Sequence, residues 1–175
     1  MNNSHRLTDT AALEQHRNRA HPKMADFLHQ VVKDEIQDRL LLVNKSFNEP
    51  VIISGFRDLW VDFLPNSQTI TDNDTLDLAP ESCDLAIHTL GLHWANDIVG
   101  QLIQCRRALR PDGLFLAALF GGQTLHELRA TLAQAESDIT GGLSPRVAPM
   151  AEIRDLGGLL QRAGFALPVA DNVAL

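Results

Sequence analysis

Three short strand-like runs, two of them entirely apolar, constrain the fold of this chain more than any other feature. They occupy residues 51–53, 84–89 and 114–119, and glycine-containing turns follow each of them. The runs 51–53 and 114–119 are uninterrupted by polar residues, which is typical of strands buried on both faces of a parallel sheet. Amphipathic segments separate these runs, and such alternation of strands and helices predicts an α/β fold.

The spacing of apolar residues predicts the helices around these strands. Helices are expected at residues 10–20 and 23–43 before the first strand, and at 97–109, 124–137 and 150–162 after it. Gly164 is expected to cap the last helix, and weaker strands are expected at residues 68–71 and from Phe165 to Val169. We therefore expect one domain over residues 1–175, with N-terminal helices over 1–50 and a Rossmann-like core over 51–175.

Composition narrows the class of protein. The chain has 45% hydrophobic and 21% charged residues, and no apolar run approaches the roughly 18 residues that a membrane span requires. A net charge of -7 argues against nucleic acid as a partner, because phosphate binding depends on clustered Lys and Arg. The N-terminal residues lack the apolar core of a secretory signal, and the acidic Asp9 and Glu14 are unlike a mitochondrial presequence. A cytoplasmic location is therefore predicted.

The two cysteines indicate neither a disulfide framework nor a metal site. Cys83 and Cys105 stand apart in apolar or amphipathic segments, without the spacing of metal ligands. A structural role is predicted for both, and no metal is predicted.

Several motifs follow one another in an order that points to a family. They begin with residues 84–87 and 92–97 and continue through 109–113, 121–129, 141–145, 155–160 and 162–165. In this order the chain resembles the class I S-adenosylmethionine-dependent methyltransferases. Within them it is most similar to the branch of the complex I assembly factor 5 arginine hydroxylase and the malonyl-carrier-protein methyltransferase. The resemblance implies a Rossmann-like fold with a mostly parallel sheet, S-adenosylmethionine as cofactor, transferase activity and a link to respiratory complex I assembly.

Part of the pattern that this resemblance implies is missing. The family places several glycines after the first strand, where backbone approaches the cofactor, whereas this chain keeps only Gly55 there. A helix is expected after the first strand, because the segment 54–67 has room for one helical crossover of about 10 to 12 residues but not for two. We therefore expect the second strand and its ribose-binding acid to be absent, unless Asp58 or Asp62 replaces that acid, and the C-terminal hairpin to be absent as well.

The resemblance also implies a set of cofactor-binding residues. Gly55 takes the place of the glycine-rich turn, while Asp72 and Asn73 match the acidic segment that meets the adenine amino group. His88 and Leu90 leave a strand at its C-terminal end, where open α/β sheets bind ligands. Acidic loop residues are also common without any ligand, so a solvated Asp72 remains the alternative.

His93 and Trp94 are the candidate catalytic residues. His93 would orient an acceptor or act as a base, and Trp94 would form an aromatic wall beside it. Structural packing of both side chains is the alternative. The sequence leaves open whether a polar cavity lies beside Gly55 and Asp72 or whether Phe56 and Trp60 fill that space.

The sequence supports two classes of function. The first is a methyltransferase-like protein with weakened or lost catalysis, which includes a pseudoenzyme. The resemblance leaves open whether such a protein methylates its substrate or uses the same cofactor fold for arginine hydroxylation. The second is a non-catalytic interaction or assembly protein that retains the fold. A protein partner or a homodimer is expected in either case, because an open sheet edge usually needs a cover. A decayed gene product is a third alternative, and the sequence leaves catalysis undecided.

Overall fold

The computed structural model describes residues 6–20, 22–148 and 150–174. Helices and strands alternate through most of these residues. The helices are α1 (Thr10–Arg19), α2 (Pro22–Leu42), α3 (Ile98–Ala108), α4 (His126–Thr140) and α5 (Ile153–Arg162), and the strands are β1 (Pro50–Ser54), β2 (Gln68–Ile70), β3 (Cys83–Thr89) and β4 (Leu109–Ala118). Short 3-10 helices occupy Arg57–Leu59 and Leu92–Trp94.

The four strands form a parallel sheet in the order β2-β1-β3-β4. In the centre, Ile52 lies opposite Ile87 of β3 and opposite Thr69 of β2. The apolar run 51–53 and the segment 84–89 form the two inner strands, and both are largely buried. The apolar run 114–119, which was also expected to be buried on both faces, instead lies in β4 at the edge of the described sheet and is only partly buried. The α/β class and the mostly parallel sheet are confirmed.

Alternate residues of the strands supply two cores, one on each face of the sheet. Val51 and Ile53 pack with Cys105 and Ala108 of α3 on one face. On the other face, Ile52 packs with Ile36 of α2, together with Trp60, Leu85 and Ile87. Successive side chains of a strand point to opposite faces, so one short β-branched run serves both cores.

Both cysteines lie in the core on the α3 face. Cys83 and Cys105 are free and buried, and the Cys83 thiol donates to the carbonyl oxygen of Ala108 over 3.3 Å. Burial raises the pKa of Cys83 to about 11 and that of Cys105 to about 12. Both side chains therefore remain protonated thiols at neutral pH, in agreement with the predicted structural role.

The connection between β1 and β2 differs from a helical crossover. Residues 55–67 contain one 3-10 turn and no strand, so the helix expected after the first strand was predicted wrongly. β2 consequently lies directly beside β1. Trp60 and Phe63 meet edge to face at 5.0 Å and pack this short connection against the sheet, where a longer crossover would place a helix.

The strand expected from Phe165 to Val169 was also predicted wrongly. These residues form no strand. Phe165 stacks on Phe115 of β4 at 4.9 Å, whereas Leu167 has a positive φ of 50° and is 93% exposed. The aromatic contact holds only the first residue of the segment against the sheet, and Leu167 turns the backbone away from a strand conformation. Gly164, with φ 87°, does end α5 in the left-handed conformation, as expected.

No helix among the described residues is both long enough and apolar enough to cross a membrane.

Candidate functional site

The C-terminal ends of β1, β2 and β3 meet at one edge of the sheet. Gly55 follows β1, Asp72 follows β2, and Leu90 and Gly91 follow β3. A Cβ atom on Gly91 would lie 2.4 Å from Oδ2 of Asp72 and 2.9 Å from Cε1 of His88. The absence of a side chain at Gly91 therefore lets these two polar groups pack beside the loop after β3. This edge is where open α/β sheets bind ligands.

An arginine from the N-terminal helix lies across this edge. The guanidinium of Arg17 donates from Nη1 and Nη2 to the two carboxylate oxygens of Asp72 over 2.8 and 2.7 Å. The Arg17 and Asp72 side chains are only 17% and 3% exposed. A Cβ atom on Gly55 would lie 2.2 Å from Cζ of Arg17, so the guanidinium occupies the space that the glycine leaves open. We call this pair the Arg17–Asp72 bridge.

The hydrogen bonds of Gln101 determine the tautomer of His88. The Gln101 amide nitrogen donates to the backbone carbonyl of Asn73 over 2.9 Å, so its Oε1 faces Nε2 of His88 at 3.1 Å. Nε2 of His88 therefore carries the proton and donates, which leaves Nδ1 as a bare acceptor. That Nδ1 is buried without a hydrogen-bond partner among the described residues, and burial lowers the pKa of His88 to about 4.

His93 lies among aromatic rings on the following 3-10 turn. Its ring centroid is 5.0 Å from that of Trp94 and 4.9 Å from that of Phe120. Both ring nitrogens are buried without a partner within the described part of the chain. Burial, followed by the nearby charge of Arg17, lowers the pKa of His93 to about 4. At neutral pH the ring is therefore a neutral imidazole with one free donor and one free acceptor.

The structure brings some of the predicted site residues together and leaves others apart. Gly55 and Asp72 both contact Arg17, and Asp72 packs near His88. Asn73 is exposed and contributes its backbone carbonyl to Gln101. Leu90 has a positive φ of 47°, and its N–H donates to the carbonyl of Ala118 over 2.7 Å. The Leu90 backbone thus fixes the turn that leads from His88 to Gly91.

Neither of the two arrangements expected beside Gly55 describes the structure fully. Trp60 points to the opposite side of β1, where its Nε1 donates to Nδ1 of His29 over 3.0 Å. Phe56 remains near the site, with its ring centroid 6.0 Å from Cζ of Arg17. The space beside Gly55 is therefore filled by a charged side chain. Asp58 and Asp62, the alternative acids, are both exposed.

Sequence reasoning missed two residues of this site, Arg17 and Gln101. Gln101 is 2% exposed and sits on the buried face of α3, so a polar residue inside an apolar helix face was the available signal. Arg17 lies in a helix without buried residues, and its partner is distant in the sequence. No local pattern identifies such a long-range ion pair.

Comparison with known proteins agrees with this geometry. The profile of the methyltransferase domain family matches residues 12–117. An S-adenosylmethionine-dependent methyltransferase of Thermotoga maritima superposes with a TM-score of 0.57 at 12% identity, over 87% of this chain and 79% of that one. The fold is therefore that of a Rossmann-like class I methyltransferase, and the chain belongs to the methyltransferase domain family.

Two curated relatives locate the chain more closely within this class. It is 37% identical over 130 residues to the mitochondrial arginine-hydroxylase NDUFAF5 of Homo sapiens. This alignment covers 74% of this chain and 38% of that protein. It is 35% identical over 100 residues to the malonyl-[acyl-carrier protein] O-methyltransferase of Methylovorus sp. (strain MP688). This alignment covers 57% of this chain and 32% of that protein. The matched part is thus about a third of the length of either relative.

Proposed function

We propose that this chain is a methyltransferase-like domain that binds S-adenosylmethionine at the edge formed by Gly55, Asp72 and His88. The Arg17–Asp72 bridge is the observation that carries this proposal, because a partly buried guanidinium and a buried carboxylate lie at the ligand-binding edge of the sheet. Asn73 and Leu90 complete the proposed cofactor side through their backbone positions.

The residues present fit such a cofactor. S-adenosylmethionine carries amino groups and a carboxylate, and the site offers a carboxylate at Asp72, a guanidinium at Arg17 and a bare acceptor at His88 Nδ1. When bound, the cofactor supplies a methyl group that is already activated on a sulfonium. The protein's own task is then to hold the cofactor and position the acceptor.

His93 and Trp94 are proposed to form the acceptor side of the site. A pKa of about 4 makes His93 a weak base near neutral pH, so its free nitrogens favour orienting an acceptor by hydrogen bonds over removing a proton. By analogy with the arginine-hydroxylase relative, the proposed substrate is an arginine-bearing protein. The link to respiratory complex I assembly that the family resemblance implies is part of the same proposal. The proposed location of this chain is the cytoplasm, whereas the name of the human relative describes that protein as mitochondrial.

Titration calorimetry with S-adenosylmethionine tests the proposed cofactor site. We expect saturable binding to the unmodified chain, and we expect Asp72→Asn to weaken it at least about tenfold because a charged hydrogen-bond acceptor is lost. Asp74→Asn is the matched control, since Asp74 is exposed on the same loop. An absence of binding heat at millimolar cofactor would contradict the proposal.

The surface of α4 favours the second candidate function, a non-catalytic interaction or assembly protein. This helix has no buried residue, and an apolar stripe follows its length. The stripe consists of Leu125, Leu128, Leu132 and Ile139, which are 36% to 82% exposed. Exposed apolar stripes of this kind mark protein interaction sites. We propose that a partner protein or a second copy of this chain covers the stripe on α4.

Light scattering at several protein concentrations tests the role of this stripe. We expect a mass above that of the monomer, and we expect the double variant Leu128→Glu, Leu132→Glu to shift it to the monomer, because two charges would be buried in the contact. The control pair is Gln134→Glu, Ala130→Glu on the same helix. A monomer with no captured partner for the unmodified chain would argue against the interaction role.

A further inference from the structure

The exposed apolar side chains of α4 are arranged symmetrically along the helix. We call Leu125, Leu128, Leu132 and Ile139 the α4 stripe, and these residues are 36% to 82% exposed. Leu125 and Ile139 each stand seven residues from Leu132, which corresponds to about 10 Å of helix on either side. A two-fold axis perpendicular to the helix at the level of Leu132 therefore exchanges the two ends of the α4 stripe.

One flank of the α4 stripe carries two opposite charges. Arg129 lines a groove of about 250 Å³ together with Ser144 and Arg146. Glu136 accepts from the N–H of Ser144 over 2.8 Å and from Nη2 of Arg146 over 2.6 Å, so its carboxylate lies on the same flank. Hydrogen bonds from Ser144 and then from Arg146 lower the pKa of Glu136 to about 2. This flank therefore presents a cation toward the N-terminus of α4 and a permanent anion toward its C-terminus.

An antiparallel pair of α4 helices brings these two charges together. A two-fold axis of this kind places the same flank of both helices on the same side of the contact. Arg129 stands three residues before Leu132 and Glu136 four residues after it, so Arg129 of one copy lies within about 1.5 Å of the level of Glu136 of the second copy. Symmetry forms this contact twice. In a parallel pair the charged flanks lie on opposite sides, and the two groups do not meet.

The same arrangement buries the α4 stripe. Leu132 packs against Leu132 of the second copy, and Leu125 packs against Ile139 at each end. Burial of these exposed aliphatic side chains supplies the affinity, since exposed ion pairs contribute little. The ion pairs instead select the orientation of the two helices. Arg146 is 59% exposed at the outer side of the groove, where water screens its charge.

We infer that α4 is a homodimer interface in which the α4 stripes of two copies pack antiparallel, with Arg129 of each copy paired to Glu136 of the other. This inference rests on the interaction role proposed for α4. It extends that role by naming a second copy of this chain as the occupant and by fixing the orientation of the contact.

Disulfide cross-linking of variants with one added cysteine tests the orientation. Two thiols join only when their Cα atoms lie within about 7 Å. Antiparallel packing brings the two copies of position 132 together, whereas the copies of position 128 stand about 12 Å apart along the helix axis and those of position 139 about 21 Å apart. The variants are Leu132→Cys, Leu128→Cys and Ile139→Cys. Gln134→Cys is the control for random collision, because Gln134 is exposed on the opposite face of α4.

We expect Leu132→Cys to cross-link at least about tenfold faster than Gln134→Cys during oxidation with copper phenanthroline, because the contact raises the effective concentration of the thiols. The other two variants should each remain at the control rate. A mixture of Leu125→Cys and Ile139→Cys should cross-link as fast as Leu132→Cys. The native cysteines are buried, and the unmodified chain measures their background.

Light scattering of charge variants tests the ion pair. Arg129→Glu should weaken the dimer at least about tenfold, because it places a second anion beside Glu136 of the other copy. Arg57→Glu makes the same change in net charge at an exposed position outside α4 and should leave the dimer unchanged.

The outcomes separate this inference from the interaction role on which it rests. Cross-linking of positions 128 and 139 as fast as position 132, or an unchanged dimer in Arg129→Glu, would overturn the antiparallel pair and leave the interaction role intact. A monomeric unmodified chain together with a Leu132→Cys variant at the control rate would overturn the homodimer. The interaction role would fall with it only if no partner protein were captured either.

Discussion

Replacing Trp60 with alanine is expected to lower the free energy of unfolding by about 3–5 kcal/mol. The indole is 0% exposed and fills the core between α2 and the sheet, where it packs with Ile36, Ile52 and Ile87. Its Nε1 also donates to the buried Nδ1 of His29, which would lose this hydrogen bond. Urea unfolding followed by circular dichroism measures the loss.

Two further variants separate packing from hydrogen bonding at this position. Trp60→Phe keeps most of the apolar contact but removes the donor to His29, so an intermediate loss of about 1–3 kcal/mol is expected. Val61→Ala changes the neighbouring side chain, which is 58% exposed, and should alter stability by less than about 0.5 kcal/mol. A loss from Trp60→Ala as small as that from Val61→Ala would contradict the described packing of residues 55–67 on the sheet.

The inner strands could be predicted from the sequence because their signal is local. The β-branched run 51–53 and the segment 84–89 are buried in the sheet, and the sequence alone distinguishes such runs from amphipathic helices. The segment after Gly164 shows the limit of this reasoning. Phe165 to Val169 has a strand-like composition, but a strand also needs a neighbour to pair with, and composition carries no information about that neighbour.

The site was predicted less completely than the sheet, for the same physical reason. Asp72 was selected from the family resemblance, and His88 because it lies near the C-terminal end of a strand, where open α/β sheets bind ligands. Arg17 is brought to that edge by the placement of α1, which no periodic pattern specifies. The charge state of the site therefore emerged only from the three-dimensional contacts, although its location followed from strand order.

Lowering the pH from 6.5 to 4 is expected to destabilise the fold through buried histidines. Burial lowers the pKa of His88 and of His93 from 6.5 to about 4, and it also lowers the pKa of His29. Between these values the unfolded chain binds protons that the folded chain does not, so stability falls as the pH decreases and is fully present above about pH 6.5. Each of the two strongly shifted residues contributes on the order of 3 kcal/mol across this window.

Urea unfolding at intervals between pH 7 and pH 4.5 measures this dependence, with the variants His88→Asn and His93→Asn compared at each pH. Each variant removes one buried titrating group, so the slope of stability against pH should become smaller, even where the variant is less stable at pH 7. His16→Asn replaces an exposed histidine of α1 and should leave the slope unchanged. If both variants kept the full slope, groups other than His88 and His93 would account for the difference in proton binding between the folded and unfolded chains. Neither histidine would then be the neutral, poorly solvated group that its surroundings indicate.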